Sequence, residues 1–155
     1  MRGIGFSPNR VVWLLAVLLM TSSCTRPQSE ASLRKVQIQQ AWELQPGDQV
    51  AGRRIAGSLG DITVDLDGGK IYAPFDGLVQ PNDLEGCVVF SSPEVPAYLF
   101  RWCGVRQPKL GEVKRGEAIA SADYLEFAAL RRQPDGKWAM VEPASDILQR
   151  TLSPQ

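Results

Sequence analysis

The chain has 155 residues, 17 of them basic and 17 acidic, and it contains no histidine. A formal net charge of +0 leaves no basic field of the kind that draws in nucleic acid, so no nucleic-acid partner is expected. With residues 1–23 set aside as a leader, about 130 residues remain, enough for one domain with a true core but not for two.

Residues 1–23 have the layout of a secretory signal peptide. Arg2 and Arg10 supply positive charge, and Val11 to Met20 form a short apolar core. A run of about ten apolar residues suits a signal-peptide core, whereas a membrane span needs about twenty. Thr21, Ser22 and Ser23 then lead to Cys24. Small residues directly before a cysteine resemble the bacterial lipobox, with Thr21 standing where leucine is usual. The resemblance implies that Cys24 is lipidated and ties the protein to a membrane, since two or more acyl chains give stable anchoring. Ordinary cleavage and secretion is the alternative. The expected location is the cell envelope, facing the periplasm. Thr25 in place of aspartate after the cysteine associates with the outer membrane rather than the inner one.

Residues 24–45 read as a flexible tether and lead-in segment. Cys24 to Ser32 is polar and without apolar periodicity, which describes a linker reaching a few nanometres at most. Leu33 to Leu44 fits two patterns. Val36 and Ile38 alternate as on a strand, while Leu33, Val36, Gln40 and Leu44 share a helical face.

Residues 46–152 read as an all-β domain. Pro46-Gly47-Asp48 signals a turn. Ile62, Val64 and Leu66 alternate with Asp61, Thr63, Asp65 and Asp67, the pattern of a half-buried strand. Asp67-Gly68-Gly69 turns into Lys70 to Ala73, and Pro74 to Gly77 turns into Leu78-Val79. Cys87 to Phe90 and Tyr98 to Cys103 are the most strand-like runs, joined through Pro93 to Pro96. Short strands separated by glycine-bearing turns predict a compact barrel or sandwich. Gly77, Gly111 and Gly116 are expected at positive φ in such turns. A short helix, capped by Ala144 or Ser145, is expected over Asp146 to Arg150. Trp138 is expected to pack into the core near the carboxyl end.

Cys87 and Cys103 lie symmetrically about the Pro93–Pro96 turn. A hairpin centred near Val95 sets them opposite each other, with β-carbons about 4.5–5.5 Å apart, close to what a disulfide needs. Export to an oxidising compartment favours that bond; two reduced buried thiols, or a metal or redox site, are the other readings.

Four segments in order carry a wider resemblance: Ile71-Tyr72-Ala73-Pro74-Phe75-Asp76-Gly77-Leu78-Val79, Val113-Lys114-Arg115-Gly116-Glu117-Ala118-Ile119, Leu125 to Arg131, and Asp135-Gly136-Lys137 running on to Pro143. Together they resemble the lysostaphin or LytM type of zinc metallopeptidase, which implies a barrel-sandwich hybrid fold. The same resemblance assigns the metal ligands and catalytic imidazole of that family to a first His-x-x-x-Asp, a Tyr-x-His-Leu and a final His-x-His. In this chain Asp61 keeps the first carboxylate, Gly104 stands at the middle imidazole, and Tyr124 and Glu126 replace the last pair. Catalytic zinc needs about three protein ligands, and Asp61 with Glu126 offers at most two. The expectation is therefore a degenerate peptidase-like domain that is not an enzyme and takes no metal or other cofactor.

Asp61, Asp65 and Asp67 also permit a calcium reading, against that of a solvated strand face. Degenerate domains of this family activate peptidoglycan-cleaving amidases, so the resemblance implies peptidoglycan or a cell-wall amidase as partner. Its groove residues would be Asp61, Tyr72, Phe75, Trp102, Tyr124 and Glu126, because aromatic side chains give large contact area at low entropic cost. Glu126 is expected to face solvent or to pair with Arg101 or Arg131. The alternative is a structural module of an envelope complex, like the barrel-sandwich hybrids of adaptor proteins.

Overall fold

A computed structural model describes residues 42–154. By its contacts the chain divides into two units, Met1–Ile38 and Gln39–Gln155, and the described residues belong to the second. The expected signal peptide, Cys24, the expected tether and most of the Leu33 to Leu44 stretch lie outside the described residues.

Ten strands and one helix make up the described fold. In chain order they are β1 (Gln49–Val50), β2 (Arg53–Gly57), β3 (Ile62–Asp65), β4 (Lys70–Tyr72), β5 (Gly77–Pro81), β6 (Cys87–Ser91), β7 (Tyr98–Arg106), β8 (Gly111–Val113), β9 (Ala118–Arg132), β10 (Trp138–Val141) and α1 (Ser145–Leu152). All pairings are antiparallel, and the main sheet runs β1-β2-β3-β9-β7-β6-β5-β8. The domain is all-β with one short helix, as its alternating patterns predict.

Strand β9 organises the sheet. Its 15 residues would span about 50 Å if fully extended. Along one side runs β7, from Arg106 opposite Ser121 to Tyr98 opposite Arg131. Along the other side lie β4, β3 and β10 in succession, opposite Ser121, Glu126 and Leu130 among others. The expectation of short strands only is corrected here. Alanines at 118, 120, 122, 128 and 129 carry little β-propensity of their own, and partners on both sides hold the segment extended.

Alternate residues of the central strands meet in one core. Leu125, Phe127 and Ala129 of β9 join Phe100 and Trp102 of β7, Val88 and Phe90 of β6, Val79 of β5 and Ile62 and Val64 of β3. Phe90 stacks on Trp102 with ring centroids 5.2 Å apart, and Phe100 lies 5.6 Å from Phe127. Truncating one such aromatic to alanine typically costs about 3–5 kcal/mol. From the carboxyl end α1 adds Leu148 and Leu152 to this core. It begins after Ala144, whose side chain gives no cap, while Asp146 in the first turn and Arg150 in the last suit the helix dipole. Trp42 and Leu44 also pack against the core, and Glu142 accepts the Glu43 and Leu44 N–H groups at 2.9 and 2.8 Å. The last residues of the 24–45 stretch are thus part of the folded unit.

Cys87 and Cys103 form a disulfide across directly paired positions of β6 and β7. It closes the hairpin whose tip holds Pro93 to Pro96, and the symmetric spacing in the sequence has this register as its cause.

At one end of the sheet three turns are clamped together. Asp76 accepts the Arg115 N–H at 2.8 Å and the Lys114 ammonium at 3.2 Å. Glu94, on the hairpin tip, accepts the Asp76 N–H at 3.3 Å and pairs with the Arg115 guanidinium at 2.5 Å. The Arg115 and Arg150 guanidinium carbons sit 5.9 and 5.5 Å from the centre of the Phe75 ring, within cation–π range.

Gly111 and Gly116 have positive φ, as expected, but Gly77 does not. Glycine is needed at 77 for space: a β-carbon there would overlap the Ser91 carbonyl and crowd the Phe90 ring.

Candidate functional site

The strand alternation that builds the core also builds a second face. Tyr124 and Glu126 project from β9 between the buried Leu125 and Phe127. Opposite them on β3 lie Asp65 and Thr63, and opposite Glu126 on β7 lies Cys103. Directly paired residues share a face, so Arg101 stands beside Ala128, Leu99 beside Leu130, and Met140 of β10 on the far side of Leu130. Ala128 and Cys103 are buried yet stand outside the core cluster; their neighbours on this outer face enclose them.

The face is apolar where a solvated sheet would be polar. Among large hydrophobic residues with high exposure are Leu59 at 94%, Tyr124 at 55%, Trp138 at 40% and Met140 at 38%. Tyr124, Trp138 and Met140 belong to the face by register, and the Leu59 turn adjoins it, because a β-carbon on Gly60 would touch the Met140 sulfur at 3.4 Å. Trp138 therefore does not pack into the core as expected. Its register opposite Arg132 turns it outward, since the core positions at this end of β9, Leu125, Phe127 and Ala129, have the opposite parity.

The six residues expected to line a groove are only partly brought together. Tyr124 and Glu126 are exposed neighbours on β9, and Asp61 lies half-buried just before β3, one strand away. Trp102 is fully buried among Phe90 and Phe127 and lines no groove. The signal that misplaces it is parity: Trp102 shares that of Phe100, whereas Arg101 and Cys103 carry the outer face. Phe75 is buried under the Arg115 and Arg150 cations, and half-buried Tyr72 pairs opposite Ala118, six residues along β9 from Tyr124. Clefts of about 650, 490, 360 and 270 Å³ on the described surface are lined by none of the six. The candidate site is an open sheet surface.

Gly104 has a local reason to be glycine. It sits in a bulge of β7, between the pairs Cys103–Glu126 and Val105–Ala122, with φ of 73°. A β-carbon there would overlap the Tyr124 carbonyl oxygen. No side chain, imidazole included, fits position 104 on this backbone, and the bulge re-aims the strand beside Tyr124.

By register the face carries charges of both signs, Asp65 and Glu126 with Arg101 and Arg132. Glu126 is exposed to solvent and makes no ion pair with Arg101 or Arg131 within 4.0 Å. Among the described residues no three His, Cys, Asp or Glu side chains converge as metal ligands would, so Asp61, Asp65 and Asp67 do not gather. The resolved pKa shifts lie elsewhere. The Arg115 backbone N–H, then Lys114, hold the Asp76 carboxyl below its ordinary value. The Lys109 ammonium, then the Lys114 backbone N–H, do the same for Glu117. Both are turn-fastening carboxylates, remote from the outer face.

No protein-family model matches the chain, and no curated protein matches its sequence. Among the described residues no helix is long and apolar enough to cross a membrane.

Proposed function

We propose that this is a non-catalytic, lipid-anchored protein of the cell envelope, whose β domain is a degenerate LytM-type barrel-sandwich hybrid that binds peptidoglycan or regulates a cell-wall hydrolase. The observation that carries the reading is the open outer face of β9. Tyr124 and Glu126, which replace the family's final His-x-His, stand there exposed and side by side, with an aromatic and apolar surround. Such a surface offers contact area to an extended partner. Without an imidazole anywhere in the chain, the general base and metal ligands that the resemblance calls for are not supplied by histidine. The anchor in this reading is Cys24 and the leaflet that of the outer membrane.

Co-sedimentation with purified sacculi tests it. The wild-type chain is expected in the pellet, Tyr124→Ala is expected to reduce retention several-fold, and the supernatant is expected to gain no soluble muropeptides. Release of muropeptides, or retention equal for wild type and variant, would count against the reading.

A further inference from the structure

We propose that Arg101 anchors a carboxylate-binding site on the outer face, suited to a peptide that carries an apolar side chain beside its carboxylate. The proposal deepens the reading of this face as a binding surface and rests on it. Arg101 is half-buried in the middle of the sheet, between Val89 on β6 and Ala128 on β9. Its Nε is enclosed and has no hydrogen-bond acceptor, and the side chain has no carboxylate within 4.0 Å among the described residues. The surroundings explain why. Val89, Ala128 and Leu99 bring no side-chain acceptor, Cys103 is tied up in the disulfide, and the flanking carbonyls belong to the β-ladder. Exposed cations such as Arg54, Arg131 and Arg132 have water instead.

An enclosed donor left without a partner is unfavourable, and an anion relieves it once the half-buried side chain turns to present Nε. The planar guanidinium fork matches carboxylate or phosphate in a bidentate pair. Local charge decides between them. Glu126 lies diagonally across from Arg101, so a phosphate dianion at the fork would meet a neighbouring carboxylate at about twice the charge cost of a single carboxylate. A single carboxylate is the better match. Next to the fork, Leu99, Leu130, Met140 and Trp138 form the apolar stretch that would receive the adjoining side chain.

The test is ¹H–¹⁵N NMR of the full chain, following the Arg101 Nε–H and Trp138 indole resonances. The probes are N-acetyl-leucine, N-acetyl-leucinamide and inorganic phosphate. N-acetyl-leucine is expected to shift both resonances in a saturable way. Arg101→Gln should weaken the response at Trp138 by about tenfold or more, and Arg101→Lys, which keeps the charge but loses the fork, should restore little of it. Equal shifts with the leucinamide, a phosphate response as strong, or an unchanged response in Arg101→Gln would each overturn the proposal. So would shifts that grow with protein concentration without probe, which would put a second copy on the face. Retention on sacculi without a carboxylate response would leave the envelope reading standing and remove this one; a carboxylate response without retention would do the reverse.

Discussion

At the scale of single residues, glycine and tryptophan carry the clearest lessons. Gly104 combines a positive φ with a steric wall at the Tyr124 carbonyl. Gly104→Ala is expected to destabilise the domain by about 1–3 kcal/mol, read from urea denaturation midpoints. Gly86 also has positive φ but open space around it, so Gly86→Ala should cost less, about 1 kcal/mol; an equal cost at both sites would remove the steric argument. Tryptophan shows why the candidate site was only half legible in the sequence. Trp102 and Trp138 have the same composition signal, and only the register of β7 and β10 against β9 sends one into the core and the other to the surface. Tyr124 and Glu126 were legible only through the resemblance of their segment to a His-x-His pattern, and their alternation with the buried Leu125 and Phe127 is what turns them outward. Arg101 was not, because a lone arginine between Phe100 and Trp102 reads as an ordinary solvated strand position.

At the scale of elements, the pairing of β6 and β7 was legible, though not the run of β7 past Cys103 to Arg106, and β9 was not. Two apolar runs about a Pro-containing turn, with cysteines at matching distances, specify the pairing and its register. The closed loop spans a sequence separation of 16, for which chain-entropy reasoning gives about 3 kcal/mol. Replacing both cysteines by alanine should lower stability by about that amount, and dithiothreitol should shift the wild-type midpoint alike. No shift under full reduction would contradict the assigned role. β9 escaped because its alanines blur the alternation and its partners lie far away in sequence. Strand β3 comes from residues 62–65 and β7 from residues 98–106, and long-range partners of this kind leave no local mark.

At the scale of the whole molecule, turns, core and face have separable dependences. Asp76 and Glu117 have pKa values below their ordinary ones in the folded state. A carboxylate of this kind adds stability above its unfolded pKa, near 4 for acidic side chains, and loses it as pH falls through the lower folded value. Urea midpoints should therefore drop below about pH 4, and Asp76→Asn and Glu117→Gln should each flatten that drop. An acid limb unchanged in both variants would show that the turn clamps contribute nothing to it. The outer face, whose carboxylates stand outside these clamps, should tolerate Tyr124→Ala with little loss of stability, so that defects in binding report on contact. The most direct measurement is photo-crosslinking in cells from a benzoylphenylalanine placed at Tyr124, compared with one at Glu112, exposed on β8 at the far end of the sheet order from β9. Adducts with wall peptide or a wall amidase are expected from position 124 and none from position 112. Equal adducts from both positions, or none from either, would contradict the proposed function.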